Sequence, residues 1–349
     1  MVKYVIKRLL LSVLIIFGVS IILYALLRCM PLDYIRIKFG NNPNFTQDRF
    51  EQMEALYGLD SSILGGYIKW MFGDWWMPEG WFYDGSFWGG MKQESHGAIT
   101  FDFSNSFQYE QPVTQIIADN VWISFILTLV SLLIYYPLAV YLGTRAAVKQ
   151  YGAFDYATTV LTMIGISFPS FFFAAIVVKI FAYDLGWFDT SLGLQSSGLI
   201  NPSGWELFID QAWHLVLPIL VTVVLSIGSI MRYTRTNMLE VLNADYIRTA
   251  RAKGLSERSV IYKHAFKNTM IPMVTMLAGL LPGLFGGSLI LEQFFGIPGI
   301  GLIGYTAMNN GDIPLVMGYN MFLAVLTVLG MLLTDIMYVI VDPRVKLTK

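Results

Sequence analysis

Six long apolar stretches separated by polar connections constrain this chain more than any other feature. They run from Leu9 to Leu27, Val121 to Gly143, Thr158 to Tyr183, Ala212 to Met231, Thr269 to Leu291 and Pro314 to Val341. Each approaches or exceeds the roughly 20 residues that a helix needs to cross a bilayer. The runs are continuous, with none of the alternation in segments of about ten residues that marks a barrel. Lipid also forces backbone donors and acceptors to pair within a segment. The expected fold class is therefore an all-α membrane protein with six transmembrane helices. Composition agrees, since 55% of the 349 residues are hydrophobic and only 13% are charged, against about a quarter in soluble domains.

Charge placement predicts an orientation. Lys3, Lys7 and Arg8 precede the first stretch, Arg145 and Lys149 follow the second, and Arg344, Lys346 and Lys349 follow the last. The connection from Arg232 to Lys267 carries eight basic residues, whereas Asp184 to Gln211 and Glu292 to Ile313 carry none. Because basic loops stay in the cytoplasm, both termini are expected there, which suits an even number of spans. A signal peptide is the weaker reading of the first stretch, which is longer than the usual apolar core and lacks a small-residue cleavage site. The single Cys29 cannot form an internal disulfide, and Arg28 before it does not suit lipoprotein cleavage.

The most informative connection reads Asp245-Tyr246-Ile247-Arg248-Thr249-Ala250-Arg251-Ala252-Lys253-Gly254-Leu255-Ser256. A short helix is predicted from Asn243, with Tyr246, Ile247 and Ala250 on one side and Arg248 and Arg251 elsewhere. Gly254 suits a left-handed closing residue, and Ser256 suits the N-cap of a second helix through Val260, Ile261 and Phe266. Small residues at Ala250, Ala252 and Gly254 would let another protein approach the backbone, with cations at the rim. On composition alone, a loop that binds lipid headgroups is an equal reading. A DNA-binding helix-turn-helix fits poorly between two membrane spans.

This segment resembles the coupling segment of binding-protein-dependent ABC importer permeases, in the dipeptide, oligopeptide and nickel branch. The shared features are Ala250 four residues before Gly254 and, downstream, His264-Ala265-Phe266-Lys267-Asn268 with Ile271-Pro272. Tyr4, Arg8, Leu9 and Leu10, Phe168-Pro169-Ser170-Phe171, His214-Leu215-Val216-Leu217-Pro218, Phe295-Gly296-Ile297-Pro298-Gly299-Ile300-Gly301, Asp335, Tyr338 and Asp342-Pro343-Arg344 are similar to other family landmarks. Leu32 and Gly311 depart from the family pattern, where glycine and arginine are common. The resemblance implies a type I ABC importer permease fold in a prokaryotic plasma membrane, forming a path for peptides or a related solute. It also implies a second permease subunit in a heterodimer, two ATPase subunits or domains that use ATP, and an external solute-binding protein. Tyr246, Arg248, Ala250, Arg251, Lys253, Gly254 and Leu255 would then form the ATPase-coupling surface. Membrane lipid is a further expected partner, and nucleic acid is not.

The expected organisation is a tail and first span over 1–30, an enlarged external segment over 31–120, a five-span core over 121–341 containing the coupling segment 232–268, and a tail over 342–349. Trp70 to Trp88 holds a dense aromatic cluster, suited either to a cap on the membrane surface or to docking of the solute-binding protein. Pro137, Pro169, Pro218 and Pro282 fall in predicted spans and favour kinks. Lys179, near an outer end, is expected to snorkel, and Asp335 to pair with a basic neighbour in the C-terminal tail. No Walker sequence occurs, and His96, His214 and His264 form no metalloprotease motif. The chain is thus expected to be no enzyme, with no cofactor or metal of its own. An ion-driven carrier or channel is the rival class, and it would normally show more intramembrane carboxylates or broken helices.

Overall fold

The computed structural model describes residues 2–29, 47–77, 95–189, 193–196, 198–280 and 283–341. Among these, every regular element is helical: α1 (Val2–Arg28), α2 (Gln47–Leu56), α3 (Ile63–Phe72), a 3-10 turn (Ala98–Thr100), α4 (Val113–Val148), α5 (Ala153–Ser167), α6 (Ser170–Val178), a π turn (Lys179–Asp184) and α7 (Gly204–Leu242). There follow α8 (Asp245–Ala252), α9 (Glu257–Ser259), a second π turn (Val260–Ala265), α10 (Phe266–Leu280), α11 (Gly283–Gly286), α12 (Leu289–Phe295), α13 (Ile300–Asn310) and α14 (Ile313–Val341).

Four helices among the described residues are long and apolar enough to cross a membrane: Ile6–Arg28, Val113–Val148, Gly204–Leu242 and Ile313–Ile336. Two sharply bent pairs raise the number to as many as six. The third predicted span is divided at Phe168-Pro169, where α5 and α6–π meet at 103°. Phe168 has extended backbone, φ −77° and ψ 132°, as the residue before a proline prefers. The predicted fifth span, Thr269 to Leu291, is not one helix. It is interrupted at Gly287-Ser288, between α11 and α12, and Gly283–Phe295 bends by 74° into Ile300–Asn310. Part of the expected external connection is therefore helix α13. Pro137 and Pro218 lie inside the unbroken α4 and α7, and Pro282 lies outside the described residues.

The helices form two compact units, one of residues 1–120 with 303–329 and one of residues 121–302 with 330–349. In the first, Arg28 closes α1 by donating to the carbonyls of Leu59 (2.8 Å), Gly58 (2.7 Å) and Ser61 (2.7 Å). Tyr24 stacks on Trp70 and donates its hydroxyl to the Tyr57 carbonyl. Trp70 is thus core rather than surface, while Trp75 and Trp76 are exposed and residues 78–88 of the aromatic cluster lie outside the described residues. Buried Asp312 caps α14 through the Leu315 N–H and accepts from Ser106 Oγ and Gln108 N–H. Burial raises its carboxyl above the ordinary range, against the lowering by these bonds.

In the second unit, α4 and α7 contain 36 and 39 residues. At 1.5 Å per residue they are about 54 and 58 Å long, well beyond a hydrocarbon layer of about 30 Å. Each of the two therefore extends beyond such a layer at one end or both. Glycines set the helix spacing: a Cβ on Gly143 of α4 would stand 2.5 Å from the Met231 carbonyl of α7, and one on Gly228 of α7 would stand 2.7 Å from the Thr162 carbonyl of α5. Small residues at such crossings let membrane helices pack at backbone distance.

Candidate functional site: an exposed hairpin and a buried carboxylate

Helix α8 ends as a Schellman motif. Leu255 N–H reaches the Ala250 carbonyl and Gly254 N–H the Arg251 carbonyl, with Gly254 at φ +75°, a conformation glycine adopts without strain. Ser256 then caps α9 by accepting from Ser259 N–H. The predicted helix, glycine turn and capped second helix are all present.

The hairpin rests on an apolar base. Ile247, Ala250, Val260 and Ala265 are buried against Ala147 of α4 and Met238 of α7, with Leu239, Leu242 and Ile261 around them. The π turn makes this possible, because its i→i+5 bonding brings residues five apart onto one side, where an α-helix would separate them. Val260 and Ala265 are both fully buried as a result.

Two expectations need correction here. Tyr246 does not share the inward side with Ile247 and Ala250; it is exposed. Ala250 is not open to a partner, because its small side chain fits the hairpin's own base. The remaining expected site residues, Arg248, Arg251, Lys253, Gly254 and Leu255, are exposed, and exposure is continuous from Arg251 to Arg258. A Cβ at Gly254 would meet nothing within 4 Å. Arg251 Nε bonds Glu257 Oε1 at 2.8 Å across the turn, and Arg248 stands 3.5 Å from Asp245. Both pairs are solvent-exposed and contribute under about 1 kcal/mol each.

An ion pair missing from the sequence reading anchors α7 just before the hairpin. Arg235 donates from Nε and Nη2 to the two Asp155 oxygens at 2.6 and 2.7 Å. Asp155 lies in the first turn of α5 and also accepts from Tyr151 N–H. The bidentate geometry fixes the start of α5 against α7 more firmly than a single contact would.

The second bent pair is organised by another residue that sequence reasoning missed. Glu292 of α12 is fully buried, and its carboxylate accepts from Ser124 Oγ of α4 (2.7 Å), Ser288 N–H (3.0 Å) and Leu302 N–H (2.9 Å). Ser124 in turn accepts from Ile300 N–H at 2.9 Å. Two donors at the start of α13 are thus satisfied, and a negative group faces the positive end of that helix. This explains the glycines of Phe295-Gly296-Ile297-Pro298-Gly299-Ile300-Gly301. Gly296 closes α12 at φ +66°, while Cβ atoms on Gly299 and Gly301 would lie within 2.4 to 2.9 Å of the Glu292 carboxyl group. Lys179, by contrast, turns outward and pairs with Asp184 at 2.7 Å. The basic partners expected for Asp335 in the tail lie outside the described residues.

Residues 136–347 match the family model described as the binding-protein-dependent transport system inner membrane component, and residues 1–129 match its N-terminal companion. The chain belongs to this family. An oligopeptide transport system permease protein of Bacillus subtilis is 32% identical over 99% of this chain and 100% of its own length. A dipeptide transport system permease protein of the same organism is 31% identical over 100% and 99%. A putative peptide permease protein of Brucella suis is 30% identical over the whole of both. The protein is accordingly a membrane-spanning permease subunit of an ABC importer; the family match decides against the ion-driven carrier, although bent helix pairs and a buried carboxylate are present.

Proposed function

We propose that this permease forms, with a second permease subunit, a translocation path for peptides, and that the exposed hairpin receives the movement of two ATPase subunits or domains. The observation that carries this reading is the run of exposed residues from Arg251 to Arg258 held on a buried apolar base. A small rigid projection with an open backbone turn and cations at its rim suits docking into a cleft on another protein. Arg248, Arg251, Lys253, Gly254 and Leu255 make the contact, with Tyr246 beside them, while Ala250 acts indirectly by seating α8. Each nucleotide state of the ATPases contacts the hairpin differently and so biases the permease between two access states.

The peptide assignment rests on the relatives' names. ATP is used by the partner subunits, and this chain needs no cofactor or metal. An external solute-binding protein delivers cargo, six spans place both termini in the cytoplasm, and residues 31–120 form an enlarged external segment ahead of a five-span core. With Cys29 replaced, a single cysteine at Asn309 should react with an impermeant thiol reagent outside intact cells, and one at Ser256 should not; labelling at Ser256 would overturn the orientation. Function is tested by purifying the assembled complex, identifying the co-purified binding protein and its ligand by mass spectrometry, and measuring uptake into proteoliposomes. Uptake driven by an ion gradient without ATP would defeat the reading.

A further inference from the structure

Two recesses meet at Tyr262, and their chemistry is complementary to an amphiphile. The first is an elongated groove of about 380 Å³ between the end of α4 and the π turn with α10, lined by Tyr136, Pro137, Val140, Thr144, Phe266 and Met270 among others. Its walls are almost wholly apolar side chains and aromatic faces. Thr144 is the exception: its hydroxyl is buried without a hydrogen-bond partner. Arg145 lies at the edge, its guanidinium over the Phe154 ring and one N–H donated to the Tyr141 hydroxyl at 2.8 Å. The second recess, about 540 Å³, is lined by Ser256, Arg258, Ser259, Tyr262 and Lys263. Two cations, Arg258 and Lys263, stand in its lining, where the first has only Arg145 at its edge. Tyr262 borders both, with its ring exposed.

We propose that the paired recesses bind one anionic phospholipid, with an acyl chain in the α4–α10 groove and its headgroup phosphate at Arg258 and Lys263. Charge complementarity selects this occupant. An uncharged apolar helix would leave the two cations unused, and a free phosphate would leave the apolar groove empty. The position also fits: one wall of the groove is α4, which is long and apolar enough to cross a membrane. Because one wall of the site is the π turn under the hairpin, a bound lipid would brace the hairpin's base. Arg258 also ends the exposed run assigned to the ATPase contact, whereas Lys263 and the α4–α10 groove lie outside it.

The test uses the assembled complex in nanodiscs of phosphatidylcholine doped with photoactivatable phosphatidylglycerol, or with the matching photoactivatable phosphatidylcholine, each carrying its reactive group on the acyl chain. Phosphatidylglycerol should label peptides containing Val140 to Arg145 or Met270 in clear excess over phosphatidylcholine. Each basic contact with an anionic headgroup is worth about fivefold in affinity, so R258A/K263A should weaken phosphatidylglycerol labelling about thirtyfold. V140F, which fills the groove, should abolish labelling with both charges intact, and blue native electrophoresis reports whether each variant still assembles. Equal labelling by the two lipids would overturn the proposal by reducing the groove to ordinary lipid-facing surface. Absence of labelling in the unsubstituted complex would overturn it in favour of a groove covered by the second subunit.

Discussion

The hairpin around Gly254 and the carboxylate node around Glu292 lie in the same chain within 40 residues, yet they are built on opposite plans. The hairpin sends its polar groups outward; its ion pairs are exposed, and its only buried part is a small apolar base. The node turns its polar groups inward. A fully buried carboxylate meets three donors, with glycines placed so that nothing else enters. An exposed surface gains its value when something covers it, whereas a satisfied buried network rigidifies one arrangement at high cost if any member is lost. The hairpin is thus suited to change its contacts, and the node to keep two helices at a fixed bend.

If this contrast is sound, stability losses fall in the order node, anchor, turn and rim, while coupling losses do not follow that order. Glu292→Ala would leave the buried Ser124 hydroxyl without its acceptor and remove the carboxylate bonds to the part-buried Ser288 and Leu302 N–H groups. With about 1–3 kcal/mol for the buried group and the lost part-buried bonds added, the variant should lose several kcal/mol, visible as a large drop in the thermal midpoint of the purified subunit. A midpoint near that of the unsubstituted protein would erase the distinction between the regions. Asp155→Asn should come next. Breaking a buried pair costs about 3–5 kcal/mol, but the Arg235 side chain retains 24% exposure, so a loss of about 1–3 kcal/mol is expected. The charge-swapped D155R/R235D should recover part of it if the pair itself is responsible.

Gly254→Leu sharpens the comparison from the other side. Forcing a branched residue to φ +75° costs roughly 1–2 kcal/mol, and no atom stands in the way. Insertion should therefore be unchanged and melting should fall by no more than this strain, while ATP-driven uptake falls severely. Normal uptake would remove Gly254 from the coupling surface. Arg251→Ala should have the smallest effect on melting, under about 1 kcal/mol, because its bond to Glu257 is exposed; a loss of uptake without a loss of stability would mark Arg251 as a partner contact.

How legible each region was in the sequence follows from the same contrast. The hairpin is made of contiguous residues whose backbone demands are local: a glycine for a left-handed turn, a serine for a cap, isoleucine and alanines at helical spacing. Tyr246 was misplaced because helical periodicity alone does not reveal which side of an eight-residue helix its neighbours cover. The node depends on residues 124, 288, 292, 300 and 302, brought together only by the 74° bend. Glu292 ended an apolar run, so it passed for the first residue of an external connection. A charge closing an apolar segment, followed closely by Gly, Pro, Gly and Gly, was the available signal. The Asp155–Arg235 pair joins residues 80 apart and had no local signal beyond an acidic residue in a first helical turn. The six apolar stretches were plain in composition, but the breaks at Pro169 and within 287–299 were not, since hydropathy measures how apolar a segment is and not whether it is straight.

The most direct measurement concerns what covers the hairpin. In a Cys29→Ser background, a single cysteine at Ser256 is labelled with a thiol reagent in nanodiscs, with and without the ATPase subunits, beside a control cysteine at Asn309. Ser256 should react readily in the permease pair alone and become protected when the ATPase subunits are bound, while Asn309 reacts equally in both. Equal reactivity of Ser256 with and without bound ATPase would contradict the assignment of the hairpin as the surface through which ATP hydrolysis drives transport.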